Sequence, residues 1–140
     1  MNRRSLLALM PLLLAPRLAR AADSPIKLRD LYNKDLSFSD LALAAEGKPL
    51  TVSGFMAPPL KADSVFFVLT TRPMAVCPFC EPGMPWPDDI LAVYARRVVD
   101  VVAFNVPILV EGVLELGDYT DPELGFYSKV RLTQATFRRA

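Results

Sequence analysis

The apolar positions of this chain fall into short runs with a period of two. Leu50, Val52, Gly54 and Met56 share one face and Thr51 and Ser53 the other, which predicts a strand with one dry side, ended by Pro58-Pro59. Residues 64–70, Ser-Val-Phe-Phe-Val-Leu-Thr, are apolar on both faces and predict a central strand covered on both sides. Residues 108–116 alternate most clearly, with Ile108, Val110, Leu114 and Leu116 inward and Glu111 and Glu115 outward. A turn is expected over Gly117 to Gly125. Residues 126–133 then return with Phe126, Val130 and Leu132 inward and Lys129 and Arg131 outward, a register that sets Glu111 and Glu115 across from Arg131 and Lys129.

Two stretches break this period. Residues 37–47 read as one short helix, with Ser39 as N-cap, Asp40 at the positive end of the dipole and Gly47 in the left-handed C-cap position; its small apolar residues suit a plug for one end of a barrel or a cover for a sheet. Residues 88–97 carry acids first and arginines last, as a helix dipole favours, yet their β-branched content and the continuation from Val98 to Phe104 favour strands. Strand is the expectation.

Val52-Ser53-Gly54 and Val110-Glu111-Gly112 each place a glycine in mid-strand, where it gives up side-chain packing and marks a bulge or a bend in a closing sheet. About five short strands with two such bends and one helix predict a mainly β domain: a small OB-like antiparallel barrel, with a β-sandwich as the alternative.

Composition changes the picture at the N-terminus. Asn2-Arg3-Arg4-Ser5 precedes an apolar run from Leu6 to Ala15, and Ala19-Arg20-Ala21 offers a small-x-small cleavage site, which together read as a secretory signal of the twin-arginine type over residues 1–21. The run is too short to be a membrane span. Cleavage after Ala21 leaves 119 of the 140 residues as one domain, 22–140, exported to the periplasm. It also removes four of the sixteen basic residues and none of the fifteen acids, so the mature domain has a net charge of −3. That balance, without any run of Lys or Arg, argues against nucleic acid as a partner, and Tyr119 and Tyr127 have no basic neighbours in sequence to support base stacking. No long apolar segment follows the signal, so no membrane span is expected in the mature protein.

The chain has no histidine, which excludes Ser-His-Asp and Cys-His catalysis and every His-containing metal site. The candidate chemistry lies between residues 72 and 87, where both cysteines, the only tryptophan, two of the five methionines and five of the thirteen prolines are gathered.

With these segments placed, the chain resembles a family of small exported bacterial proteins catalogued as a domain of unknown function. The matching residues are Val52-x-Gly54-Phe55-Met56-x-Pro58, Phe67-x-Leu69, Pro73, Cys77, Phe79-Cys80, Pro85, Val110-x-Gly112-x-Leu114-x-Leu116 and Tyr127. The resemblance implies an OB-like exported domain without assigned catalysis.

Three readings of Cys77-Pro78-Phe79-Cys80 stay open. A structural disulfide suits the oxidising periplasm and contributes mostly local order, roughly 2 kcal/mol for so small a ring. Metal binding would use Cys77 and Cys80 as thiolates, with Met74 and Met84 as thioethers for copper, or with Glu81, Asp88 or Asp89 for zinc. A thiol–disulfide oxidoreductase has the same spacing, but the proline-rich residues 81–87 cannot start the helix that would stabilise a thiolate, and Glu81 opposes one. As a pair, Asp88-Asp89 read as a solvated turn. Phe66, Phe67, Phe79, Trp86 and Tyr94 suit either a pocket or the core of a small barrel. The expectation is an accessory or binding protein rather than an enzyme, with the cysteine loop, and Phe79 and Trp86 beside it, as the ligand surface and a metal ion or a periplasmic protein as partner.

Overall fold

The computed structural model describes residues 24–59, 61–75, 87 and 89–140. The expected signal segment lies outside them. Six strands form one mixed sheet: β1 (Ile26–Lys27), β2 (Pro49–Met56), β3 (Phe66–Thr70), β4 (Ile90–Ala95), β5 (Pro107–Thr120) and β6 (Tyr127–Arg139). The sheet order is β1-β2-β3-β4-β6-β5, and β2 also pairs with β5, so the five strands β2 to β6 close into a ring. All ring pairings are antiparallel except β4 with β6, and β1 adds to β2 in parallel. The expected class, mainly β with a small closed ring and one short helix, is the one found.

Burial explains the ring. Along β2, Val52 and Met56 are buried, and along β5 Ile108, Val110 and Leu114 are buried while Glu111 and Glu115 face solvent. Every residue of β3 is buried, as its two apolar faces require: Phe67 and Leu69 join the main core, and Phe66 and Val68 join a second cluster with Ile90, Ala92 and Phe126. The helix α1 (Asp40–Ala45) is capped by Ser39, whose Oγ accepts the Ala42 N–H at 3.2 Å. Its buried Ala42 joins Leu28 and Leu31, from a 3-10 turn (Leu28–Leu31), in the main core. Gly47, at φ +75°, then donates its N–H to the Leu114 carbonyl at 2.7 Å and ties the helix exit to β5.

The mid-strand glycines mark close approach. A Cβ on Gly54 would lie 2.7 Å from the Thr70 carbonyl oxygen, and one on Gly112 would lie 2.9 Å from that of Thr133. Neither glycine has positive φ; the positive-φ residues within the described strands are Gly117 and, unexpectedly, Gln134 at φ +50°. Gln134 is the extra residue of a bulge in β6, since both its β4 and β5 registers slip there.

Three expectations are corrected. Residues 98–104 continue no strand; they form an irregular connection. Gly117 does not open the turn but bulges within β5, which runs on to Thr120. The register sets Arg131 opposite Glu115, and Glu111 opposite Thr136. Arg131 faces outward from the ring but is buried there, with Tyr119 lying over it.

Candidate functional site

Residues 71–89 join β3 to β4 and contain the cysteine motif. Cys77, Phe79, Cys80, Glu81, Met84, Trp86 and Asp88 lie outside the described residues; Met74, Pro87 and Asp89 lie within them and are each half-buried. What the structure fixes is the stem from which the loop departs. The Thr70 hydroxyl ends β3 within reach of two acceptors, the Arg72 carbonyl at 2.7 Å and the Phe55 carbonyl at 3.2 Å. Thr71 donates both its N–H and its hydroxyl to the Asp89 carbonyl, at 3.0 and 3.2 Å. The two ends of the connection are therefore locked side by side on the ring.

Asp89 closes the stem with an incomplete set of partners. Its Oδ2 faces Arg72 at 3.7 Å, an ion pair whose guanidinium is 72% exposed and so holds the acid weakly. Its Oδ1 is buried and has no hydrogen-bond partner among the described residues, a condition that costs roughly 1–3 kcal/mol for a polar atom. Asp89 is thus no solvated turn residue; its side chain is only 15% exposed. Among the described residues no three Asp, Glu, Cys or His groups converge as a metal site.

A second polar cluster lies on the outer face of the ring, and the sequence reading did not assemble it. Asp121 opens the β5–β6 turn and accepts the N–H groups of Glu123 and Leu124 on Oδ1, at 2.8 and 2.9 Å, while Oδ2 accepts the Tyr94 hydroxyl at 2.9 Å. Burial opposes ionisation of Asp121, but these donors outweigh it and hold its carboxyl below the ordinary range. Burial first, and then the Asp121 carboxylate, push the Tyr94 phenol well above its usual value. At neutral pH the pair is therefore a fixed phenol–carboxylate latch, and neither member is poised for proton transfer. Next to it, the Arg131 guanidinium stacks 4.9 Å from the Tyr119 ring centre, meets Glu115 Oε2 at 3.2 Å and donates to the Gly117 carbonyl at 3.0 Å. The expectation that Tyr119 lacks a basic neighbour is corrected, because pairing across the strands supplies one that sequence proximity does not. Phe66 and Phe67, weighed as pocket residues, are core; Phe66 packs on Tyr94 and Phe126 at ring separations of 5.1 and 5.0 Å.

Comparison with known proteins reaches the fold and carries no further. No protein family model matches the chain, and no curated protein matches it. Among solved structures it is similar to the crystal structure of a DUF3299 family protein from Pseudomonas aeruginosa, with a TM-score of 0.55 and 17% identity over 86% of this chain and 97% of that one. At that identity the likeness is one of fold. The neighbour's designation, a family of unknown function, names no activity.

Proposed function

We propose that this chain is an exported periplasmic accessory or binding protein whose working surface is the connection between β3 and β4. The pinned stem is the observation that supports it: Thr70, Thr71 and Asp89 hold both ends of residues 71–89 on a closed ring, so a scaffold with no slack presents the segment where cysteines, methionines and tryptophan collect. Cys77 and Cys80 form a local disulfide that shapes this surface, and Phe79 and Trp86 supply its apolar contact area. On this reading the ring is an OB-like barrel and the connection stands at one of its mouths. The protein is not an enzyme on this reading, since a chain without histidine offers the thiols no imidazole base.

The test is intact-mass analysis of the exported protein after alkylation. The mature mass should begin near Ala22, with no alkylated thiol before reduction and two after it. Two thiols free to react in metal-free, unreduced protein would defeat the disulfide reading.

A second reading is favoured by Asp89. A buried carboxylate oxygen without a partner, at the base of a loop with two cysteines, is a donor suited to zinc beside the Cys77 and Cys80 thiolates. Copper would instead draw on Met74 and Met84. Zinc titration of the reduced protein separates the two: one equivalent bound in wild type, and at least tenfold weaker binding in Asp89→Asn, would favour zinc with Asp89 as ligand.

A further inference from the structure

At the end of β4 away from the cysteine connection, the chain turns through residues 96–106 beside the last residues of β6. The two segments enclose a groove of about 590 Å³, within the range of small-molecule sites. Four of the sixteen basic residues of the chain line it, Arg96, Arg97, Arg138 and Arg139, against a single acid, Asp100. Arg96 is fixed, with Nε donating to the Gln134 carbonyl at 3.0 Å; the left-handed bulge at Gln134 turns that carbonyl toward it. Among the described residues Arg97, Arg138 and Arg139 make no ion pair, so three exposed guanidiniums surround one concavity whose lining holds a single acid, Asp100. Apolar side chains share the lining: Val98 and Val101, 54% and 67% exposed, together with Val102 and Phe137.

We infer that this groove binds a single small amphiphilic anion, a phosphate or carboxylate head on an apolar body. Arginine forks match the planar oxygens of such a head bidentately, and the valines and Phe137 would be desolvated by the body. A polyanion such as single-stranded nucleic acid fits less well. The groove's one aromatic ring, Phe137, is half-buried and packed edge-on against Phe67 at 5.4 Å, so it offers no stacking platform. A bilayer surface fits less well too, because the charges surround a concavity rather than crown a protrusion.

The site lies apart from residues 71–89, and its test is independent of the proposed function. Calorimetric titration of the full chain with dihexanoyl phosphatidate, below its micellar concentration, should show saturable one-to-one binding. The exposed, unpaired Arg97 and Arg138 can be replaced without loss of a fold contact, so Arg97→Gln/Arg138→Gln should melt as wild type does and bind at least about tenfold more weakly. Dihexanoyl phosphatidylcholine should not bind, inorganic phosphate should bind at least about tenfold more weakly than phosphatidate, and Cys77→Ser should bind as wild type does. Four results would overturn the inference: no binding by wild type; equal affinity in the double variant or for inorganic phosphate; binding to phosphatidylglycerol vesicles without binding to the monomer; or tighter binding of a single-stranded oligonucleotide.

Discussion

Asp121 and Asp89 each stand where a connection meets the ring, and they are finished differently. Asp121 uses both oxygens, on two backbone N–H groups and the Tyr94 hydroxyl, and its turn closes in a few residues with Gly125 donating back to the Asp121 carbonyl at 2.8 Å. Asp89 has one oxygen in a long ion pair and the other buried and without a partner among the described residues, at the foot of a much longer connection. A saturated acid is a structural fastening, whereas an unsaturated buried one is destabilising unless something else engages it. The difference separates a fastening that is complete within the fold from one that is left incomplete at the stem of residues 71–89, the segment to which the proposed function assigns the working surface.

The comparison can be broken from either side. The largest effect is expected beneath the stem, where Gly54→Val would press a side chain into the Thr70 carbonyl and Leu69; it should cost about 3 kcal/mol in chemical denaturation, and an unchanged midpoint would show that the stem is not rigid. Asp121→Ala should cost about 2 kcal/mol, since it strands two backbone donors and the Tyr94 hydroxyl. Acid titration sharpens the same point. The folded carboxyl of Asp121 is depressed, so its contribution is complete above the unfolded value of about 3.9 and disappears as pH falls from there through the folded value. Asp121→Asn should flatten that part of the stability–pH curve. Asp89→Asn should change the stability of the metal-free protein least, by under about 0.5 kcal/mol, because the acid it replaces has little to lose. A loss as large as that of Asp121→Ala would erase the distinction.

The legible parts of the fold were those set by local pattern. The alternation in residues 50–56 and 108–116, the doubly apolar residues 64–70 and the Ser39 cap each depend on a few neighbours, and each is found where the pattern puts it. Apart from residues 98–104, which form an irregular connection instead of continuing a strand, the errors came from bulges. An extra residue at Gln134 and another at Gly117 shift the register of β6 against β5, which moved Arg131 from Glu111 to Glu115 and under Tyr119. Nothing in the period of two announces a left-handed glutamine. The Tyr94–Asp121 latch joins residues far apart in sequence, yet half of it was readable: Asp121-Pro122-Glu123-Leu124-Gly125 has the aspartate-first, glycine-last composition of a tight turn whose side chain caps its own backbone. For the candidate site, sequence identified the unusual residues of 72–87; the structure added the locked stem and the unsatisfied Asp89, which depend on contacts across the ring.

The central claim is that the ring is a scaffold and residues 71–89 its working end, shaped by Cys77 and Cys80. Trp86 is the only tryptophan, so its fluorescence reports on that connection alone. The most direct measurement is Trp86 emission together with far-ultraviolet circular dichroism of the purified, unreduced protein at 25 °C, before and after reduction. A shift in Trp86 emission with the strand signal unchanged is the predicted result. Loss of the strand signal on reduction, or an emission indifferent to reductant, would contradict it.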